Sequence, residues 1–306
     1  MLLAAAAAPP AGLKALAWLA PGHDIVAALG FQPPECLNPA ADPDAAWKIE
    51  VGRAAFRNPL TLGGQAARAG ISCETCHRNG RTNPDFLFPG VSGAAGTADV
   101  TSSIFSSHRG NGVDDPRPIP DLGGPKAALK IDQSPDSREL EPFIHGLVTQ
   151  EFDGAEPPPA VLAGLATYVR ALDPAACSTG AAPGPLRAED YADDAVRALV
   201  AAEGALDRDD TPTALAMIAA GRSRLGAIAE RYDQSPDVRG RLASLSGRLA
   251  RLSDGLRAGD ITAVRADLPH QRVVLGKLRP RLRAEEPKSL FAPSRLAGAA
   301  RLPPGG

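Results

Sequence analysis

Ser72-Cys73-Glu74-Thr75-Cys76-His77 is the stretch that decides how the rest of the chain is to be read. Two thiols three positions apart can add to the two vinyl groups of one porphyrin, and the histidine directly after them can supply a proximal nitrogen to the iron. With four Cys and five His in 306 residues, chance assembly of such a pentapeptide is on the order of one in a thousand. The motif predicts one covalently bound haem c, with Cys73 and Cys76 as its thioethers and His77 as the proximal iron ligand. The competing reading is a redox or half-zinc Cys-x-x-Cys pair that happens to precede a histidine. A zinc site would need further Cys or His at suitable spacing, and the sequence has no second Cys-x-x-Cys and no His-x-His.

Working outward, the text before the motif holds a short apolar run, Ile25 to Leu29, then Pro33-Pro34 and Cys36. A helix is predicted from about Ala45 to Arg57, with Ala46, Ile49, Ala54 and Phe56 on one face and Asn58-Pro59 as its stop. After His77, residues 78–125 are dominated by Gly, Ser, Asn, Asp and Pro; a segment that long is more than a connection, and wrapping a haem is the economical reason for it. It contains Ser107-His108-Arg109-Gly110 and Pro116-Arg117-Pro118-Ile119-Pro120-Asp121-Leu122. A helical stripe follows in Leu140, Phe143, Ile144 and Leu147. A clearer one runs through Val161, Leu162, Leu165, Tyr168, Val169 and Leu172, in which Tyr168 reads as packing.

A low-spin electron-transfer haem needs a second strong axial ligand, usually Met or His. The only methionines are Met1 and Met217, neither of them in this region. His108 is therefore the first candidate for the distal ligand and His145 the second. An open or water-bound iron, or Met217 reaching across, stays in play. Arg109 and Arg117 are candidate contacts of the haem propionates.

The segment Gly52-Arg53-Ala54-Ala55-Phe56-Arg57-Asn58-Pro59, followed by Gly63-Gly64 and Ile71-Ser72-Cys73, resembles the N-terminal helix and haem approach of the bacterial cytochrome c peroxidase and MauG-like family. Pro116-Arg117-x-x-Pro-x-Leu after His108 looks like that family's distal-histidine segment, although the 31 positions from His77 to His108 depart from its spacing. Pro-Pro-x-x-Leu-x-x-Leu-x-x-Tyr-Val-x-x-Leu resembles the closing helix of c-type cytochrome domains. The resemblance covers roughly residues 45–175. It implies a peroxidase-like activity, for which the family's enzymes typically use two haems; with a single attachment motif here, turnover would need a partner haem.

Cys36 and Cys177 remain after haem attachment. In an oxidising compartment two leftover cysteines favour a disulfide, which would staple the N-terminal extension to the end of the closing helix; two free buried thiols are the alternative. Beyond them, residues 178–186 read as a linker. Four helical segments then occupy 187–286, punctuated by Asp210-Thr211-Pro212, Ser235-Pro236 and Gly259-Asp260. Leu242, Leu245, Leu249, Leu252 and Leu256 alternate spacings of three and four, the seam of a bundle. Pro269 is expected to kink or split the last helix. Short connections imply an antiparallel four-helix bundle without a catalytic constellation, with His270 facing solvent and Met217 as a core or boundary residue. Such a module would serve dimerisation or protein contact. Residues 287–306 read as a disordered tail.

The fold class expected is all-α: a monohaem c-type cytochrome domain over 23–177 with long haem-wrapping loops, followed by the bundle. Residues 1–22 form a candidate leader with Ala6-Ala7-Ala8 as its cleavage site. Leu16 to Ala20 is too short to span a bilayer, so no membrane span is expected. The 33 basic and 35 acidic side chains give no reason to invoke a nucleic-acid partner. The leading expectation is an exported, periplasmic electron carrier with a redox partner protein. A peroxidase-like or MauG-like enzyme is the alternative, and a haem-based sensor signalling through the bundle a third.

Overall fold

The computed structural model describes residues 13–19, 22–125, 129–134 and 136–299. It is mostly helical, and its only strands among the described residues are six two-residue pieces in three antiparallel pairs. Alternating Gly/Pro-rich and Ala/Leu-rich text gives this contrast directly, since the first kind cannot hold a helix and the second cannot avoid one.

In the N-terminal half, α1 (Ile25–Gly30) begins at Asp24, whose carboxylate accepts from the amides of Val26 and Ala27. Helix α2 (Pro43–Phe56) is capped by Asp42 and carries proline in its first turn. Two short helices, α3 (Pro59–Leu62) and α4 (Gly64–Ala69), lead to the one-turn α5 (Cys73–Cys76). Much later come α6 (Leu140–Gly146), which runs into a single π turn over Leu147–Glu151, and α7 (Pro159–Ala171). Helices α2 and α7 cross at two glycines. A Cβ on Gly52 would lie 1.9 Å from the Gly164 carbonyl oxygen, and one on Gly164 would lie 2.9 Å from the Gly52 nitrogen. No larger residue permits this backbone approach.

The long segment after His77 is not loose. Phe86, Val91, Phe105 and Ile119 are buried in a second apolar cluster with Trp18, Leu29, Ile71 and Phe152. Strands β2 (His77–Arg78) and β3 (Arg81–Thr82) turn back on each other, and β4 (Thr97–Ala98) pairs with β5 (Arg117–Pro118). The disulfide joins Cys36 to Cys177 across 141 positions, as the leftover cysteines suggested. Beside it, β1 (Phe31–Gln32) pairs with β6 (Gly184–Pro185), and Leu37 bridges Leu172.

The C-terminal half consists of α8 (Ala188–Leu206), α9 (Thr211–Arg231), α10 (Pro236–Arg257) and α11 (Ile261–Glu285). Helix α8 packs on α9 and α11, and α10 packs on the same two. Met217 is buried and His270 is 67% exposed. The two halves are not separate: α2 lies against α8, and one apolar cluster runs from Ile49 and Leu165 through Leu199, Ile228, Leu245 and Leu275.

Three expectations need correction. Helix α11 is not split at Pro269 but runs on through Pro280 as well, because Leu268, Leu275, Leu278 and Leu282 are buried on its inner face and hold it together. The expected disordered tail is ordered through residue 299: Leu290, Phe291 and Leu296 are buried, and α12 (Pro293–Ala299) packs on α1. Within the candidate leader, Lys14–Trp18 forms a 3-10 turn whose Trp18 is buried at 6.2 Å from the Phe86 ring. The cleavage site at Ala6-Ala7-Ala8 lies outside the described residues. Among the described residues no helix is long and apolar enough to cross a membrane.

Candidate functional site

The Cys73–His77 motif begins as a single helical turn, held at both ends. The Ser72 amide donates to Thr75 Oγ1 at 3.0 Å, closing the start of α5. At the other end Asn79, with φ of 48°, turns the chain, donates its amide to Glu74 Oε1 at 3.0 Å and its side-chain nitrogen to the Pro33 carbonyl at 2.7 Å. Gly80 follows at φ of 81°, against the Leu172 side chain. A turn this short would not persist alone; the Asn79 bond to the Pro33 carbonyl and the packing of Gly80 on Leu172 fix the chain that leaves it.

His77 is the best-defined side chain of the site. Its Nδ1 lies 3.0 Å from the carbonyl oxygen of Pro120. A carbonyl can only accept, so the proton resides on Nδ1 and the lone pair on Nε2. Burial pushes the imidazole down to about 4, outweighing the Pro120 carbonyl that favours the charged form. At neutral pH the ring is neutral and its Nε2 is available as a donor, with the orienting bond that metal-binding histidines characteristically make. The Phe56 ring stands 6.4 Å away.

Cys73 and Cys76 are not joined to each other, although Cys36 and Cys177 are paired. Burial pushes both thiols up to about 12. A Cys-x-x-Cys redox pair needs the opposite, a stabilised thiolate. Nor do the three side chains converge as zinc ligands would: among the described residues no group of three or more His, Cys, Asp or Glu could hold a metal ion. Two unjoined, half-buried thiols that pack, like Phe88, Val100 and Ile144, against the second apolar cluster, together with one oriented imidazole, are a donor set of the kind a covalently held haem uses. The residues fit the group.

The other sequence-derived residues have partners of their own. His108 has a side chain 64% exposed, with Nε2 3.7 Å from Asp153 Oδ1. His145 Nε2 is 2.8 Å from Glu156 Oε2. The His77 side chain meets Phe56 and Pro120. Arg109 donates to Gln150 Oε1 at 2.7 Å and approaches Glu151, while the 76%-exposed Arg117 pairs with Asp115. These arginines already have partners within the chain.

Sequence reasoning missed the charged network behind the motif. Arg57 donates to Glu35 Oε1 at 2.8 Å and Asn79 Oδ1 at 2.6 Å, and its Nε lies 3.3 Å from Asp194 of α8 and 3.9 Å from Glu74. Arg53 pairs with Glu35, Arg224 with Asp194 at 3.5 Å, and the Tyr168 hydroxyl donates to Glu35 at 2.7 Å. Glu74, a residue of the motif itself, is thereby connected to the C-terminal half. The only sequence signal was the helical Arg53 and Arg57, four apart beside Phe56, and spacing alone cannot identify partners more than 130 positions away. No family model, curated protein or solved structure matches this chain.

Proposed function

We propose that this protein is a monohaem c-type cytochrome that carries single electrons in the periplasm. The observation that carries the reading is the 3.0 Å bond from His77 Nδ1 to the Pro120 carbonyl, which presents Nε2 of a neutral imidazole directly after two unpaired thiols. Cys73 and Cys76 would hold one haem c by thioether bonds, and His77 would be its proximal ligand. When bound, the group supplies a one-electron ferric/ferrous couple. The chain's own contribution is to fix the imidazole tautomer and to keep the thiols apart from each other and from Cys36 and Cys177. The intramolecular disulfide suits an oxidising compartment. Helices α8–α11, packed cyclically, are read as an antiparallel four-helix bundle that braces the haem half and offers a surface for a redox partner or a second copy.

Under this reading a sixth ligand is required, and His108 is the first proposal with His145 second. The exposed position of His108 and its pairing with Asp153 favour a second reading, an open distal position with peroxidase-like or MauG-like reactivity toward a partner haem. Visible spectra of the purified holoprotein separate the two. A low-spin spectrum that becomes high-spin in His108→Ala supports electron transfer with His/His ligation. A high-spin iron in both redox states, with rapid reaction with peroxide, sinks it in favour of the enzyme. Absence of haem that remains on the chain in denaturing gels overturns both.

A further inference from the structure

The carbonyl that faces His77 Nδ1 belongs to Pro120, a residue that cannot be fixed through its own amide because proline has no N–H. Its place is set by its neighbours. On one side the Ile119 amide donates to the Gly96 carbonyl at 3.0 Å, and the Ile119 carbonyl accepts from Thr82 Oγ1 at 2.9 Å. On the other, Asp121 Oδ2 lies 2.7 Å from Arg81 Nη2, and the Gly123 amide donates to the Gly80 carbonyl at 3.1 Å.

Arg81 and Thr82 are the two residues of β3, and β3 pairs with β2, where His77 stands directly across from Thr82. One hairpin, residues 77–82, therefore carries the imidazole and also grips the chain on both sides of the carbonyl that orients it. The bonds from Thr82 to Ile119 and from Arg81 to Asp121 are side-chain additions to the strand ladder. With Arg81 37% and Asp121 32% exposed, their ion pair contributes little to stability. What it does contribute is position, since it holds the residue next to Pro120 against the hairpin.

We infer, resting on the haem reading above, that Arg81, Thr82 and Asp121 are positioning residues for His77: they keep the Pro120 carbonyl against Nδ1 and so set how strongly Nε2 donates to iron. A histidine that donates from one ring nitrogen to a fixed acceptor is a more basic ligand through the other, and a more basic axial ligand favours ferric over ferrous iron. Releasing the carbonyl lowers that basicity and raises the reduction potential. Charge alone predicts a different pattern. Loss of the Arg81 cation would favour the ferric state and lower the potential, and an uncharged replacement of Thr82 would leave it in place.

Redox titration of the purified holoprotein, followed by its visible spectrum, separates the two. Arg81→Gln and Thr82→Val should each move the equilibrium toward ferrous iron by about fivefold, an upward shift of about 40 mV at 59 mV per tenfold for one electron. Asp121→Asn should shift it in the same direction, and Thr82→Ser, which keeps the hydroxyl, should restore the wild-type value. If Thr82→Val does not fold, the half-exposed Arg81 decides by the sign of its shift. A potential that falls or stays in Arg81→Gln, that stays in Thr82→Val, or that moves as far in Thr82→Ser as in Thr82→Val overturns the inference and leaves the haem reading standing. A chain that carries no covalent haem overturns that reading and the inference with it.

Discussion

At the scale of single residues, the most consequential features are those that let backbone approach backbone. Gly52 and Gly164 are mid-helix glycines, each of which lowers helix propensity by about 1 kcal/mol relative to alanine. Their crossing compensates by bringing α2 and α7 together behind Phe56 and Tyr168, whose rings stand 5.2 Å apart. Gly52→Ala places a methyl 1.9 Å from the Gly164 carbonyl oxygen, so the helices must separate; a loss of about 3 kcal/mol is expected. Gly240→Ala in α10, where an added Cβ meets nothing within 4 Å, should instead gain about 0.5–1 kcal/mol from propensity alone. Urea unfolding of the two variants checks the opposite signs, and a neutral Gly52→Ala would show that α2 can shift freely. The His77–Pro120 bond belongs to this scale as well. His77 was legible from the motif, but its partner was not, because a backbone carbonyl 43 positions away leaves no residue-type signature.

Among the elements, what the text made legible is what periodicity and punctuation control. The starts of α9 and α10 follow from Asp210-Thr211-Pro212 and Ser235-Pro236, and the buried Leu242, Leu245 and Leu249 are the seam read from the spacing. Helix α11 escaped the same logic, since a local rule against proline is overridden when both flanks are anchored in a core. Pro269 still removes an amide donor, leaving the carbonyl of Arg265 without its intrahelical partner. Pro269→Ala should therefore raise stability by about 1–2 kcal/mol, seen as a higher guanidinium midpoint with unchanged slope. A lower midpoint would mean that the proline ring itself is needed for packing. The C-terminal segment was misread for a related reason. Leu290, Phe291 and Leu296 are too few and too irregularly spaced to signal a helix, yet Arg231 donates to the carbonyls of Leu290 and Leu29 and ties both chain ends to α9.

For the whole molecule, the question is whether the two halves unfold as one. Asp194 of α8 has Arg53 of α2, Arg57 just past the end of α2, Arg224 of α9 and Arg197 of its own helix around it, and the apolar cluster is continuous across the same boundary. Burial works against the charged form of Asp194, but Arg57, Arg224, Arg53 and Arg197 outweigh it and hold the carboxyl below its usual range. Glu35 is likewise lowered against its burial, by Arg57, Arg53 and the Tyr168 hydroxyl. For such groups the stabilisation is complete above the ordinary carboxylate range and is lost as pH falls through the depressed folded value. Glu50 and Glu74 run the other way, pushed up by burial. They take up protons first, so mild acid slightly favours the folded state before the loss of Asp194 and Glu35 reverses the trend. The melting temperature should thus peak at weakly acidic pH and fall steeply below about pH 4. Asp194→Asn leaves four arginines short of an anion and should cost about 3 kcal/mol at neutral pH, with a shallower fall in acid. Because the boundary then loses the centre of its ion network, calorimetry should resolve the single wild-type transition into two. A variant that still melts in one transition, with an unaltered acid limb, would show that apolar contact between α2 and α8 couples the halves without the ion network.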